Sequence, residues 1–194
     1  MSIEEKHKVV FLEGKKVILR PLDKEKDLGV VLKWVNDPEL RQFVSFFLPL
    51  TKKQQEEWFD KRREDEIVLA IETKQGEFIG TIGLHRIDNR HRTATTGTLI
   101  GEKSFWSKGY GTDAKMILLN YAFNTLNLRK IKSRAFATNS RSVNYSKKCG
   151  YEVEGILKNE YFINGKYVDE ICLAVFRKNF KKIWQNYQQN GSQK

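Results

Sequence analysis

Lys108-Gly109-Tyr110-Gly111-Thr112-Asp113-Ala114 is the stretch that decides how this 194-residue chain is interpreted. Its two glycines let the backbone come close to an anion and adopt positive φ. The loop precedes a predicted helix, and the free N–H groups and positive end of a helix bind phosphate oxygens, with Lys108 adding a charge. The stretch therefore predicts a phosphate-binding loop, although a tight turn without a ligand remains the alternative that the loop alone leaves open.

Two familiar nucleotide loops do not fit this stretch. A dinucleotide fingerprint needs Gly-x-Gly-x-x-Gly soon after the first strand, whereas Ala114 occupies the third glycine position here. A P-loop needs Gly-Lys-Ser/Thr, which the stretch lacks. The phosphate-carrying ligand must therefore belong to another class.

Regular elements are predicted on both sides of the loop. Apolar residues recur at helical spacing from Tyr110 to about Leu126. A strand over about 94–100 precedes this helix, and a strand over 131–137 follows it. A short helix over 140–149 comes next and closes at Gly150, a typical C′ residue.

The rest of the chain adds strands and helices at both ends. Asn164-Gly165 is a two-residue hairpin signal, Asp23 and Thr51 are candidate helix caps, and Pro21 ends the first strand. The further predicted strands cover residues 16–20, 67–71, 78–84, 151–163 and 166–176, and the further helices cover 23–35, 51–64 and 178–187. This order predicts one α/β domain, with a core over about 10–180, a polar tail over 188–194 and a mixed sheet between helices.

Charge and composition limit the partners. Lys and Arg total 35 against 24 acids, so the net charge of +11 favours a polyanion or a phosphorylated cofactor, or is simply solvated surface charge. The basic residues are spread along the chain without a nucleic-acid-binding motif, so no nucleic-acid partner is expected. No apolar stretch is long enough for a bilayer and the start lacks a secretory pattern, so no membrane association is expected.

Cys149 and Cys172 are the two cysteines. They are too few for a disulfide framework and lack metal-ligand spacing, which predicts reduced thiols, a cytoplasmic location and no metal. Neither has a histidine near it in sequence, so an acyl-enzyme on cysteine is disfavoured.

Several motifs together resemble the GNAT superfamily of acetyl-coenzyme A-dependent N-acetyltransferases, over nearly the whole chain. They are similar to the branch that contains the ribosomal-protein N-terminal acetyltransferases and the spermidine/spermine acetyltransferases. The motifs, besides Lys108–Ala114, are Leu19-Arg20-Pro21-Leu22, Trp34 to Glu39, Asn139-Ser140-Arg141-Ser142, Lys147-Lys148-Cys149-Gly150-Tyr151 and Glu160 to Asp169.

The resemblance implies a GNAT-like, mostly antiparallel seven-stranded sheet with helices on both faces. Two parallel strands would splay apart, the first near Leu99 and the second ending near Thr138, with the pantetheine arm of acetyl-CoA between them. Asn139 would anchor that arm. Main-chain groups would pair with the arm or hold the pyrophosphate, at Leu99, Ile100, Gly101, Lys108, Gly109, Tyr110, Gly111 and Thr112.

The sequence departs from the family pattern at two places. Trp106 stands where Arg or Gln is usual before the glycine loop. Ser146 stands where many members carry the tyrosine that protonates the leaving thiolate, and it is the candidate proton donor and a candidate cofactor contact. Tyr145, about 100° away around a helix, is predicted to be packed.

The protonation state of the attacking amine narrows the class of acceptor. An alkylammonium of pKa about 10.4 is only about one part in a thousand neutral at pH 7, whereas an α-amino group is about a tenth neutral. Thr93 to Thr98 lacks the glutamate that the polyamine enzymes carry on the matching strand. His85 and Glu102 are the candidate bases, and the apolar connection with Phe43, Phe46 and Phe47 is the candidate acceptor surface.

The sequence thus predicts an acetyl-CoA-dependent N-acetyltransferase in which a primary amine, on a protein N-terminus or a small molecule, attacks the thioester directly. One alternative is a spermidine/spermine acetyltransferase. Another is a non-catalytic coenzyme A-binding sensor or adaptor. The C-terminal strands offer a surface for a homodimer.

Overall fold

The computed structural model describes residues 9–44, 47–61 and 63–189. The described strands are β1 Leu12–Glu13, β2 Val17–Pro21, β3 Ile67–Thr73, β4 Phe78–Asp88, β5 Thr93–Ile100, β6 Lys130–Phe136, β7 Glu152–Ile163 and β8 Lys166–Phe176. The described helices are α1 Lys24–Asn36, α2 Pro38–Arg41, α3 Lys52–Asp60, α4 Tyr110–Asn124, α5 Ser140–Lys148 and α6 Arg177–Gln189. One turn of 3-10 helix, Lys103–Phe105, lies between β5 and the glycine loop.

The strands form one sheet in the order β1-β2-β3-β4-β5-β6-β8-β7. Every neighbouring pair is antiparallel except β5 and β6, which are parallel. The mixed α/β architecture is confirmed, but the sheet has eight strands where seven were predicted. The additional strand is β1, whose two residues are too few to show an alternating pattern.

Local signals fixed most element boundaries. The side chain of Asp23 accepts from the amides of Glu25 and Lys26 at the start of α1, and Thr51 forms a capping box with Gln54 at the start of α3. Gly150 closes α5 with φ of +87°. The prediction missed α2, a single turn that Pro38 begins, and it extended α3 beyond its end at Asp60.

Apolar cores cover both faces of the sheet. On one face α4, α5 and α6 bury residues such as Leu118, Phe123, Ile131 and Phe180. On the other face α1, α2 and α3 bury a smaller cluster of Leu22, Leu28, Val31, Trp34, Val35, Leu40, Phe59 and Ala70. The sheet is therefore the middle layer of three, and its free edges and strand ends are left for function.

The parallel pair separates partway along its length. The β5–β6 ladder joins Thr93, Ala94 and Thr95 to Lys130, Ile131 and Lys132, and then stops, although both strands continue. At the apex, the hydroxyl of Thr96 donates to the Lys132 carbonyl at 3.2 Å. Beyond Thr96 the two strands diverge, which confirms the predicted splay.

Asp113, in the first turn of α4, fixes that helix against β2. Its buried carboxylate accepts from the amides of Lys15, Lys16 and Val17 at 3.2, 2.8 and 3.1 Å and from the Tyr187 hydroxyl at 2.7 Å. Hydrogen bonds to a charged acceptor are among the stronger ones in proteins. They hold the glycine loop in register with the sheet.

Candidate active site

The glycine loop presents an open helix N-terminus. Gly109 is the N-cap of α4 with φ of +88°, and no side chain caps the helix there. The first amides of a helix have no intrahelical acceptor, so those of Tyr110, Gly111 and Thr112 are suited to an anion. Only Gly109 has the positive φ predicted for both glycines, because Gly111 already lies in helical backbone.

Lys16 adds a second cation to this loop. Its Nζ donates to the carbonyl of Lys108 at 2.8 Å and lies 5.5 Å from the centre of the Tyr110 ring. Lys108 itself is exposed. Sequence reasoning missed Lys16, because β2 and the loop are brought together only by the fold.

The main-chain groups at the end of β5 face two different ways. The amide of Gly101 donates to the Ile79 carbonyl at 2.9 Å, so it faces β4. The N–H and C=O groups of successive residues point to opposite edges of a strand. The main-chain groups of Leu99 therefore face β4 as well, and those of Ile100 face the splay. The Ile100 carbonyl accepts from the Trp106 indole Nε1 at 2.7 Å. Of the three residues predicted to pair with pantetheine, Ile100 is the one that faces the gap.

Thr98 supplies a further polar group at the splay. Among the described residues, its Oγ1 is a buried oxygen with no hydrogen-bond partner. An unpaired buried hydroxyl is costly, and a bound ligand would supply the partner that the described residues do not. Together with the uncapped α4 N-terminus and the diverging strands, it fits a long polar ligand with an anionic end, as coenzyme A is.

An arginine and two aromatic rings close the mouth of the splay. The guanidinium carbon of Arg141 lies 3.9 Å from the Trp106 ring centre and 4.9 Å from that of Phe43. Phe43 therefore lies beside Arg141, and its role in acceptor contacts stays a prediction. Phe47 is 78% exposed on the surface, and Phe46 lies outside the described residues.

Helix α5 places the other two candidate residues. Asn139 is its N-cap, and its Oδ1 accepts from the amide of Ser142 at 3.1 Å, which leaves the amide nitrogen of the side chain as a donor. Ser146 is completely buried, and its Oγ accepts from Nζ of Lys115 at 3.4 Å. Tyr145 packs into the core, as predicted.

The two candidate bases have different surroundings. His85 lies on the face of the sheet that packs against α1 and α3. Its Nε2 is 3.2 Å from the position that a Cβ on Gly97 would occupy, and its Nδ1 lies 3.5 Å from Oε1 of Glu66. Glu102 instead accepts from the Trp34 indole at 3.0 Å. Glu102 thus holds a core tryptophan by this hydrogen bond, and the role of His85 as a base stays a prediction.

A polar cluster on the far side of the splay was not predicted. Glu170 on β8 is buried and accepts from Arg134 at 2.9 Å and from the Tyr161 hydroxyl at 2.7 Å. Burial, followed by the hydrogen bond to Glu170, raises the pKa of Tyr161 to about 12. The strand register puts Arg134 and Glu170 on the same face of the sheet as His85. The neighbouring Asp169 pairs with Lys158 at 2.8 Å.

Neither cysteine is suited to form an acyl-enzyme. Burial raises the pKa of Cys149 to about 12, and burial together with Glu170 raises the pKa of Cys172. A thiol must ionise to act as a nucleophile. Within the described ranges, no group of three or more His, Cys, Asp and Glu side chains could hold a metal ion, and no helix is long and apolar enough to cross a bilayer.

A sheet that splays beside an uncapped helix N-terminus is the arrangement that the resemblance implied for a coenzyme A-binding acyltransferase. The chain belongs to the acetyltransferase (GNAT) domain family, which matches residues 16–152. Coenzyme A supplies the acetyl group as a thioester that an amine can attack. The protein is therefore an N-acetyltransferase that uses acetyl-CoA as donor.

The relatives agree with this family. The spermidine N(1)-acetyltransferase of Escherichia coli K12 is 29% identical over 170 residues, covering 84% of this chain and 88% of the relative. The probable N-acetyltransferase YjcK of Bacillus subtilis is 28% identical and covers 85% and 96%. The crystal structure of Vibrio cholerae spermidine N-acetyltransferase with CoA and spermine superposes with a TM-score of 0.78 at 28% identity, covering 84% of this chain and 97% of that one.

Proposed function

We propose that the acceptor is a primary amine of modest pKa, either the α-amino group of a peptide or the amino group of a small metabolite, with His85 as its base. The observation that carries this proposal is the His85–Glu66 pair, 3.5 Å apart on the face of the sheet that also carries Arg134 and Glu170, where we place the acceptor cleft. A histidine can accept a proton near neutral pH. Glu66 would orient the imidazole and stabilise its protonated form.

The charge around the cleft supports this acceptor class. Arg141 lies at its mouth and Arg134 on its wall, and no acidic residue occurs from Thr93 to Thr98 on β5. Repulsion by Arg141 and by the net charge of +11 disfavours a polycation such as spermidine, whereas the charge of Arg134 is offset by its pairing with Glu170. A peptide with a carboxylate or a phosphorylated amino sugar would instead gain from Arg141 and from the net charge.

Each group of residues has its own role in acyl transfer. Amides of Tyr110, Gly111 and Thr112, with Lys16 and Lys108, hold the pyrophosphate. Main-chain groups of Ile100 and side chains of Thr98 and Asn139 hold the pantetheine arm in the splay. His85 takes the proton that the amine loses, and Ser146 gives a proton to the departing sulfur.

A polyamine acceptor is the second candidate, and the relatives favour it. The spermidine acetyltransferases of E. coli and V. cholerae are among the proteins most similar to this chain. Glu170, Glu66 and Glu102 would then be the carboxylates available to ammonium groups. Because Glu170 is paired with Arg134 and Glu102 with Trp34, this arrangement is the weaker one.

The experiment compares kcat/KM for an Ala-starting peptide, an amino sugar and spermidine, in the wild type and in His85→Gln. We expect kcat/KM for the peptide or the amino sugar to exceed that for spermidine by at least about tenfold. His85→Gln should lower kcat/KM by about 100-fold. The variant should also lose the acidic limb of the pH profile. Faster turnover of spermidine than of the other amines would overturn the proposal.

Assembly and location are also proposals. The V. cholerae relative forms a dodecamer in one structure, and we propose that this chain self-associates as well. We further propose a cytoplasmic location for a single-domain enzyme, supported by the two free thiols Cys149 and Cys172.

A further inference from the structure

Lys115 is a buried lysine without an anionic partner among the residues that the structure describes. It is 1% exposed in the middle of α4, and no carboxylate in the described part of the chain forms an ion pair with it. Its Nζ lies 4.3 Å from the Tyr145 ring centre, 4.9 Å from that of Tyr151 and 3.4 Å from Ser146 Oγ. Two ring faces and one hydroxyl compensate only part of the cost of burying an ammonium group.

The position of Lys115 relates it to the splay. Gly111 and Lys115 are four residues apart and lie on the same face of α4. A Cβ built on Gly111 would be 3.6 Å from the Ile100 side chain, so this face of α4 packs against the end of β5. Lys115 thus lies one helical turn deeper than the glycine loop.

The apex of the splay is connected to Lys115 through Tyr151. The Thr96 hydroxyl donates to the Lys132 carbonyl, so it accepts from the Tyr151 hydroxyl at 2.9 Å. The ring of that tyrosine carries the ammonium group of Lys115 on its face. The cation is therefore close to where the splay ends.

Two titratable groups close to Lys115, Cys149 and Tyr151, are neutral. Burial raises the pKa of Cys149 and of Tyr151, so both keep their protons at physiological pH. Tyr145 is the remaining ring in contact. Asp113, on the same helix, is directed instead to the amides of β2 and to Tyr187. No anion in the described part of the chain pairs with Lys115, so the site has room for the charge of a bound ligand.

We propose that Lys115 is a positioning residue that makes Ser146 a proton donor to the sulfur of coenzyme A. An ammonium group has only donors, so Ser146 Oγ must accept from it and its single proton remains free for another acceptor. The positive charge next to Oγ also stabilises a negative sulfur. This inference rests on the proposed role of Ser146 and on acetyl-CoA as donor.

The proton balance is simple. As the carbon–sulfur bond breaks, Ser146 Oγ gives its proton to sulfur and takes one from Nζ of Lys115. The amine loses one proton as its bond to the acetyl carbon forms, first to His85 and then to water. Lys115 regains a proton from water, so the proton lost by the amine equals the proton gained by sulfur.

Binding rather than turnover is the first test. Affinities of coenzyme A and of desulfo-coenzyme A, which lacks the sulfur, are measured by calorimetry at about pH 6.5 and about pH 8.5, below and near the usual thiol pKa. In the wild type, coenzyme A should gain about fivefold over desulfo-coenzyme A between the two pH values, the gain expected if binding lowers the thiol pKa by about one unit from its usual value near 8.5. Lys115→Met should lose that gain and keep its affinity for desulfo-coenzyme A, which also reports that the variant is folded.

Lys147→Met is the matched control, because it removes an exposed lysine that follows Ser146 on the same helix. It should keep the pH-dependent gain. If Lys115→Met lost affinity for coenzyme A and desulfo-coenzyme A equally, the lysine would have only a structural role. If Lys115→Met kept the pH-dependent gain in affinity for coenzyme A, the lysine would not interact with the sulfur. Either result overturns the proposal.

A second measurement tests the role of the Lys115–Ser146 pair separately from the use of acetyl-CoA as donor. Lys115→Met and Ser146→Ala should slow transfer from acetyl-CoA at least tenfold more than transfer from 4-nitrothiophenyl acetate, whose thiolate leaves without a proton. Equal slowing with both donors would overturn the role of the pair. A wild type that does not bind coenzyme A would instead overturn acetyl-CoA as donor.

Discussion

The indole nitrogen of Trp34 donates to the carboxylate of Glu102 at 3.0 Å and joins α1 to the segment after β5. The same indole lies over Gly101, where a Cβ would come within 2.0 Å of the ring. Glu102 was a candidate base because it directly follows β5. The hydrogen bond from Trp34 indicates instead that Glu102 fixes α1 to the end of β5.

Glu102→Gln should therefore change activity little. The amide oxygen of glutamine can still accept from the indole, so kcat should fall less than about threefold and stability by about 1 kcal/mol, the typical value of one hydrogen bond. Steady-state kinetics and urea denaturation measure the two effects. A loss of kcat of about 100-fold would restore Glu102 as a general base.

Asp113→Asn should destabilise the protein and weaken the donor site together. The carboxylate accepts from three amides and the Tyr187 hydroxyl, and an amide replaces one acceptor oxygen by a donor. We expect a loss of about 2–3 kcal/mol in the free energy of unfolding and a higher KM for acetyl-CoA. Tyr187→Phe, which removes only one of these bonds, should lose about 1 kcal/mol, and equal losses in the two variants would contradict this account.

Lys16→Met and Lys108→Met should each weaken coenzyme A binding about three- to fivefold, or about 0.5–1 kcal/mol, without changing kcat. The effect should shrink in high salt, because exposed charges are screened. Lys178→Met, an exposed lysine on α6, is the charge control and should bind normally. Salt-independent binding in the wild type would argue against a phosphate site at this loop.

Cys149→Ala should keep acetyl transfer and change the alkaline stability. The folded pKa of this thiol is raised to about 12, whereas an unfolded thiol titrates near 8.5. The folded state thus binds one more proton between these pH values, and stability falls with rising pH by up to about 1.4 kcal/mol per unit. The variant should show a shallower decline in urea titrations from about pH 9 upward, and loss of transfer in Cys149→Ala would revive an acyl-enzyme.

Local patterns predicted most of the fold. Asp23 and Thr51 as caps, Asn164-Gly165 as a hairpin and the apolar spacing of α4 are all decided by residues close in sequence. The short elements β1 and α2 were missed because two to four residues carry no periodic signal. The splay came from the family resemblance, since nothing in the strand patterns shows where the β5–β6 ladder stops.

The site was predicted less completely. The glycine loop, Asn139 and Ser146 stand in contiguous motifs, but Lys16, Glu66, Lys115 and the Arg134–Glu170–Tyr161 cluster meet the site only through tertiary packing. Lys115 is an instructive case, because a lysine within an apolar helix suggests a solvent-facing position. Only the burial of its neighbours shows that it lies in the core.

Acetyl transfer by direct attack is tested most directly by intact-mass spectrometry combined with thiol release. The protein is incubated with acetyl-CoA alone and then with the preferred amine. We predict an unchanged protein mass in the first sample, and one acetyl group on the amine for each free thiol in the second. An acetylated protein that passes its acetyl group to the amine, or bound coenzyme A with no thiol released for any amine, would contradict the account.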